Sequence, residues 1–201
     1  MSLMARFGVM LGGWSRQFAY DANTWERDRE VAAEMHGSGR PEDEEENPRM
    51  KLIAQLLSAD DILLELEAPN RTRVFEEVGR LFERRHGLPQ QQVVEALSAR
   101  EKLGSTGLGQ GVALPHARIK KLPQAMAAYI HLKLPIPFDA PDAKPVSDML
   151  VLLVPERATE EHLQILAEFA QMLGDPEFRA KIRHCGDADS VCRLFSAWAP
   201  S

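Results

Sequence analysis

The chain has 201 residues, 44% hydrophobic and 27% charged, which is enough apolar material for one domain with a full core, or for one domain plus an arm. A formal net charge of −6 offers no overall basic field to nucleic acid, and no RNA- or DNA-reading motif occurs. No apolar run is long enough to span a bilayer, and the patch Phe7-Gly8-Val9-Met10-Leu11-Gly12-Gly13-Trp14 is too short and glycine-diluted for a convincing signal peptide. The two cysteines, Cys185 and Cys192, form neither a CxxC nor a metal-binding spacing. They read as reduced thiols, in keeping with a cytoplasmic protein.

Residues 1–49 read as a flexible N-terminal extension. They lack a sustained apolar period and end in Gly37-Ser38-Gly39-Arg40-Pro41 and the acidic run Glu42-Asp43-Glu44-Glu45-Glu46. A transient helix over 24–35 and an acidic partner-binding tail are the structured alternatives. The globular pattern opens at Met50, and the domain is expected over 50–198. A short helical entry over 51–57 precedes a strand over Ile62-Leu63-Leu64-Glu65-Leu66. Pro69-Asn70 then starts a helix with Val74, Phe75, Val78, Leu81 and Phe82 at helical spacing, closed by Gly87. Pro89 opens a second helix whose buried stripe is Val93, Val94 and Leu97.

A glycine-rich loop follows, then a short extended piece over 112–114 and a strand over 125–132. Residues 135–145 read as a proline-rich connection. The uninterrupted run Met149-Leu150-Val151-Leu152-Leu153-Val154 suits a strand covered on both faces. Thr159 can cap the next helix, with Leu163, Ile165, Leu166, Phe169 and Leu173 as its apolar side. Asp175-Pro176 starts another, and 187–198 reads as the last. This alternation predicts an α/β protein with helices on both sides of the sheet.

The loop and its surroundings carry the chemistry. Gly104, Gly107, Gly109 and Gly111 match neither GxGxxG nor GxxxxGK[ST], and the loop follows a helix where those motifs follow a strand, so a nucleotide cradle is disfavoured. Of the six histidines, His36 lies in the extension, His86 and His184 stand near helix ends, and His131 sits on a strand. His116 differs because it follows the glycine loop and a proline and precedes Arg118. A neutral imidazole is a good phosphoryl acceptor, and loop N–H groups with Arg100 could hold phosphoryl oxygens. His162, in the first turn of a helix after the apolar strand, stands where α/β proteins place ligand groups.

The segment Arg100-Glu101-Lys102-Leu103-Gly104-Ser105-Thr106-Gly107-Leu108-Gly109, continuing to Leu114-Pro115-His116, resembles the signature of the mannitol/fructose-type enzyme IIA domains of the bacterial phosphotransferase system. Within that group it looks most like the nitrogen-regulatory enzyme IIA. Pro135-Ile136-Pro137-Phe138-Asp139-Ala140-Pro141-Asp142, Leu152-Leu153-Val154-Pro155 and His162-Leu163-Gln164-Ile165-Leu166 extend the resemblance over about 50–198.

The resemblance implies an α/β/α sandwich built on a mixed five-stranded sheet. It implies a phosphohistidine at His116, loaded by a histidine-containing phosphocarrier protein of the HPr or NPr kind, with His162 supporting and Arg100 stabilising the phosphoryl group. Ser105, Thr106, Gly107, Gly109 and Gly111 are the expected phosphate-binding loop. Neither metal nor cofactor is expected. The implied outputs are partners chosen by phosphorylation state, such as potassium-transport or sensor-kinase components. The alternatives are a sugar-specific (fructose or mannitol) enzyme IIA that passes phosphate to an enzyme IIB, and a IIA-like docking module that is not phosphorylated.

Overall fold

A computed structural model describes residues 56–157 and 160–198. The expectations for 1–49, most of the helical entry over 51–57, and the Thr159 cap lie outside these residues. After a 3-10 turn over Ala59–Asp61, the elements are β1 (Ile62–Leu66), α1 (Arg71–His86), α2 (Gln90–Glu101), β2 (Gly107–Gly109), β3 (Val112–Ala113), β4 (His116–Ile119), β5 (Met126–Ile136), β6 (Val146–Pro155), α3 (Glu160–Gly174), α4 (Pro176–Arg183) and α5 (Ala188–Ser196).

Local chemistry sets the helix ends. The Asn70 side chain accepts from the N–H of Arg73 at 3.0 Å, and Gly87, at φ 67°, takes the left-handed turn that closes α1. Asp175 and Asp187 cap α4 and α5 in the same way, through the N–H groups of Glu177 and Ser190. In α2, Val93 and Leu97 are buried as expected, whereas Val94 is only half-buried.

The sheet runs β1-β5-β6-β3-β2, with β4 also paired to β6. It is mixed: β1 is parallel to β5, β5 antiparallel to β6, and both β3 and β4 parallel to β6. The segments β3 and β4 lie in line along one edge of β6, Val112 opposite Asp148 and His116 opposite Leu152. Leu114-Pro115 interrupts them, although the Pro115 carbonyl still accepts from the N–H of Leu152 at 2.9 Å. The expected five strand positions are therefore present, one of them split. Strand β5 is longer than expected and includes Pro135. Its register against β6 shifts between His131 and Ile136, so Pro135 sits in an irregular stretch where no ladder N–H is required.

Alternation along β5 and β6 gives the sheet two apolar faces. Ala128, Ile130, Leu132, Met149, Val151 and Leu153 pack with Val74, Val78, Phe82 and Leu97 of α1 and α2. On the other face Tyr129 meets Phe195 of α5 edge-on at 5.6 Å. Phe195 in turn touches Phe178 of α4 at 5.2 Å and Phe169 of α3 at 6.3 Å. Helices thus cover both faces, which is the α/β/α sandwich.

Candidate functional site

His116 is the first residue of β4 and is 7% exposed. Its row partner Leu152 alternates with Val151 and Leu153, so the register turns His116 away from the α1–α2 core and toward the α3 face. Nδ1 lies 2.9 Å from the Leu114 carbonyl, and Nε2 accepts from Arg100 Nε at 3.1 Å. A carbonyl can only accept and a guanidinium can only donate, so these partners fix the tautomer. Nδ1 carries the proton, and Nε2 presents its lone pair. Burial first, and the nearby Arg100 charge after it, push the imidazole down to about 4 despite the opposing Leu114 carbonyl. The ring is therefore neutral at physiological pH.

Arg100 comes from the last turn of α2, which packs along β4. Its Nη1 donates to the Gly104 carbonyl at 2.9 Å while Nε reaches His116. Burial lowers its pKa and the Glu101 charge opposes that shift, and a guanidinium remains charged at neutral pH. His162 lies in the first turn of α3, which begins beyond the end of β6.

The loop residues have duties within the fold. Ser105 Oγ donates to the Phe138 carbonyl at 2.6 Å and accepts from the N–H of Gly107 at 3.1 Å. Thr106, fully buried, gives both its N–H and its hydroxyl to the Glu101 carboxylate. Gly107 and Gly109 belong to β2, and Gln110-Gly111, with φ 58° and 81°, forms the tight two-residue turn into β3. A Cβ on Gly107 would lie 2.9 Å from the Ala140 Cβ. Two glycines thus answer specific needs, a close approach by the 137–145 connection and a left-handed turn. Sequence reading treated the same glycines as a row of phosphate donors.

It also missed what surrounds the loop. Glu101, its side chain 6% exposed, binds Arg71 at 3.1 Å, and Arg71 binds Asp139 at 2.9 Å and stacks 5.1 Å over Phe138. Asp148 is 1% exposed and accepts from Tyr129, His131, Ser147 and Arg183. Burial pushes its carboxyl up, and these four donors outweigh burial and hold it below the ordinary range. His86, read as a helix-end residue, binds the buried Asp61 at 2.9 Å. Apart from the neighbouring Ser147, the partners of Glu101, Asp148 and Asp61 here lie 17 or more positions away, so spacing gave no signal for them. Among the described residues no cluster of His, Cys, Asp and Glu could hold a metal ion, and no helix is long and apolar enough to cross a membrane.

Residues 55–198 match the family described as "Phosphoenolpyruvate-dependent sugar phosphotransferase system, EIIA 2". The chain belongs to this family. It is 39% identical over 145 residues to the nitrogen regulatory protein of Pseudomonas aeruginosa, spanning 71% of this chain and 93% of that one. The nitrogen regulatory protein of Escherichia coli K12 is 33% identical, spanning 72% and 89%. The crystal structure of nitrogen regulatory protein IIA-Ntr from Neisseria meningitidis superposes with a TM-score of 0.69 at 45% identity, covering 72% of this chain and 99% of that one. The mannitol IIA of E. coli, at 20% identity and a TM-score of 0.59, shares the fold. The chain is thus an EIIA protein of the nitrogen-regulatory type, with a phosphoryl-accepting, regulatory place in the phosphotransferase system. EIIA domains of this family accept phosphate from phosphocarrier proteins and pass it on.

Proposed function

We propose that His116 is the phosphoryl acceptor, that Nε2 is the bonding nitrogen, and that a histidine-containing phosphocarrier protein is the donor. The supporting observation is the pair of partners on the imidazole, a carbonyl on Nδ1 and a guanidinium N–H on Nε2. In transfer, the Nε2 lone pair forms the new N–P bond as the N–P bond to the donor imidazole breaks, and that electron pair returns to the donor nitrogen. Nδ1 keeps its proton against the Leu114 carbonyl, so the phosphorylated ring is an imidazolium and a good leaving group for onward transfer.

Arg100 must release Nε2 as the phosphorus arrives. Its guanidinium then stands beside the equatorial oxygens, where transition-state charge collects. His162 is proposed to support the same oxygens from the start of α3. The loop containing Ser105, Thr106, Gly107, Gly109 and Gly111 serves in this reading chiefly as the frame that keeps Arg100 and His116 in place, because several of its donors already have acceptors.

Relatives called nitrogen regulatory protein, at 33 to 39% identity, favour a regulatory output over sugar transport. Cytoplasmic action, potassium-transport or sensor-kinase partners, and a division into a 1–49 extension and a 50–198 domain complete the proposal. Incubation with enzyme I, phosphoenolpyruvate and each of two phosphocarrier proteins tests it. The native chain should be labelled and His116→Ala should not. Full labelling of His116→Ala would refute the assignment.

A further inference from the structure

Glu101 stands next to Arg100 but points elsewhere, into the protein. A carboxylate that is 6% exposed is costly to bury unless every oxygen is paired. Here the pairing is complete and directed at one loop. Oε1 accepts from the N–H of Thr106 at 3.1 Å and from Arg71 at 3.1 Å, and Oε2 accepts from the Thr106 hydroxyl at 2.6 Å. The Glu101 carbonyl also accepts from the N–H of Gly104 at 3.2 Å. The chain between residues 101 and 106 is thus tied at both ends to one residue. Inside that closed turn lies the Gly104 carbonyl, which holds Arg100 Nη1 at 2.9 Å while Arg100 Nε meets His116 Nε2. Arg71 extends the brace to Asp139 and Phe138, so the 137–145 connection leans on the same carboxylate.

We propose that Glu101 is a positioning residue for phosphoryl transfer: its buried carboxylate, closed on Thr106 and Arg71, fixes the Gly104 carbonyl that aims the Arg100 guanidinium at Nε2 of His116. The inference rests on His116 being the acceptor. It assigns to Glu101 a task in the reaction that no contact with the phosphoryl group requires. Preorganised donors act only when held to within a fraction of an ångström, so loosening the brace lowers turnover more than it lowers docking.

The test uses the full chain, native and as Glu101→Gln and Thr106→Val, both nearly isosteric. Each is loaded by two donors, the phosphorylated phosphocarrier protein and phosphoramidate, a small donor with no docking surface. In Glu101→Gln, kcat should fall about tenfold or more with both donors. KM for the carrier should hold, and the Arg100 Nε–H resonance should move toward its solvent-exposed position. Thr106→Val should shift both readouts in the same direction by a smaller amount. Circular dichroism reports the folded fraction. Equal rates for native chain and both variants would overturn the positioning role while leaving His116 as acceptor. So would a loss that only tracks the folded fraction while the Arg100 resonance stays in place. A native chain that neither donor labels would overturn the acceptor reading, and this inference with it.

Discussion

At His116 the two ring nitrogens are told apart by their partners, and burial removes the charge that would compete with nucleophilic attack. Two predictions belong to this scale. An NMR titration of the folded chain should place the His116 midpoint near pH 4. A midpoint near 6.5 would mean that the ring is solvated and lacks the surroundings described. Replacing His162 by Ala should slow labelling of His116 by about tenfold or more without abolishing it, as removal of one oxyanion-stabilising donor does. An unchanged rate would remove His162 from the site. Arg100, His116 and His162 stand out in sequence by type and neighbourhood, and the structure joins the first two by a hydrogen bond. The brace from Glu101 was not legible: Arg71 lies thirty positions away and leaves no local pattern, and the bond to Thr106, five positions on, depends on a loop path that spacing does not give.

At the scale of elements, the loop over 104–111 meets needs of the fold that composition does not reveal. Four glycines in a short stretch suggest an anion cradle, and two of them also have fold roles: Gly111 serves a left-handed turn and Gly107 admits Ala140. Replacing Gly107 by Ala should destabilise the fold by about 1–3 kcal/mol through overpacking against Ala140, measured by urea unfolding. No loss would mean that the 137–145 connection yields freely. Helix starts and stops were readable from Asn70, Gly87, Asp175 and Asp187, since capping is local chemistry. The strands beside the loop were harder. Segments β2 and β3 are only three and two residues long; β3 is held along β6, and among the described residues β2 pairs only with β3. The extension of β5 through Pro135 ran against proline's reputation and became visible only with the register shift.

At the scale of the whole molecule, the buried neutral His116 links folding to pH. The folded chain takes up its His116 proton near pH 4 and the unfolded chain near 6.5. Between those values the unfolded state holds more protons, so stability rises with pH across the window. The contribution is complete above about 6.5 and lost as pH falls to about 4, on the order of 3 kcal/mol in all. His116→Gln should therefore lose less stability than the native chain between pH 7 and pH 5 in urea unfolding, and equal losses would contradict the linkage. The layered α/β plan was legible from the order of apolar runs. The packing of Phe195 against Tyr129, Phe169 and Phe178 was not, because it joins three helices and a strand across the second face.

The central claim is that His116 accepts a phosphoryl group on Nε2, and nitrogen-resolved NMR of the phosphorylated chain tests it most directly. After loading by the phosphocarrier protein with 15N-histidine in place, a single phosphohistidine should appear at His116, with phosphorus coupled to Nε2 and the proton retained on Nδ1. Phosphorus on Nδ1, or on any other histidine, would contradict the account.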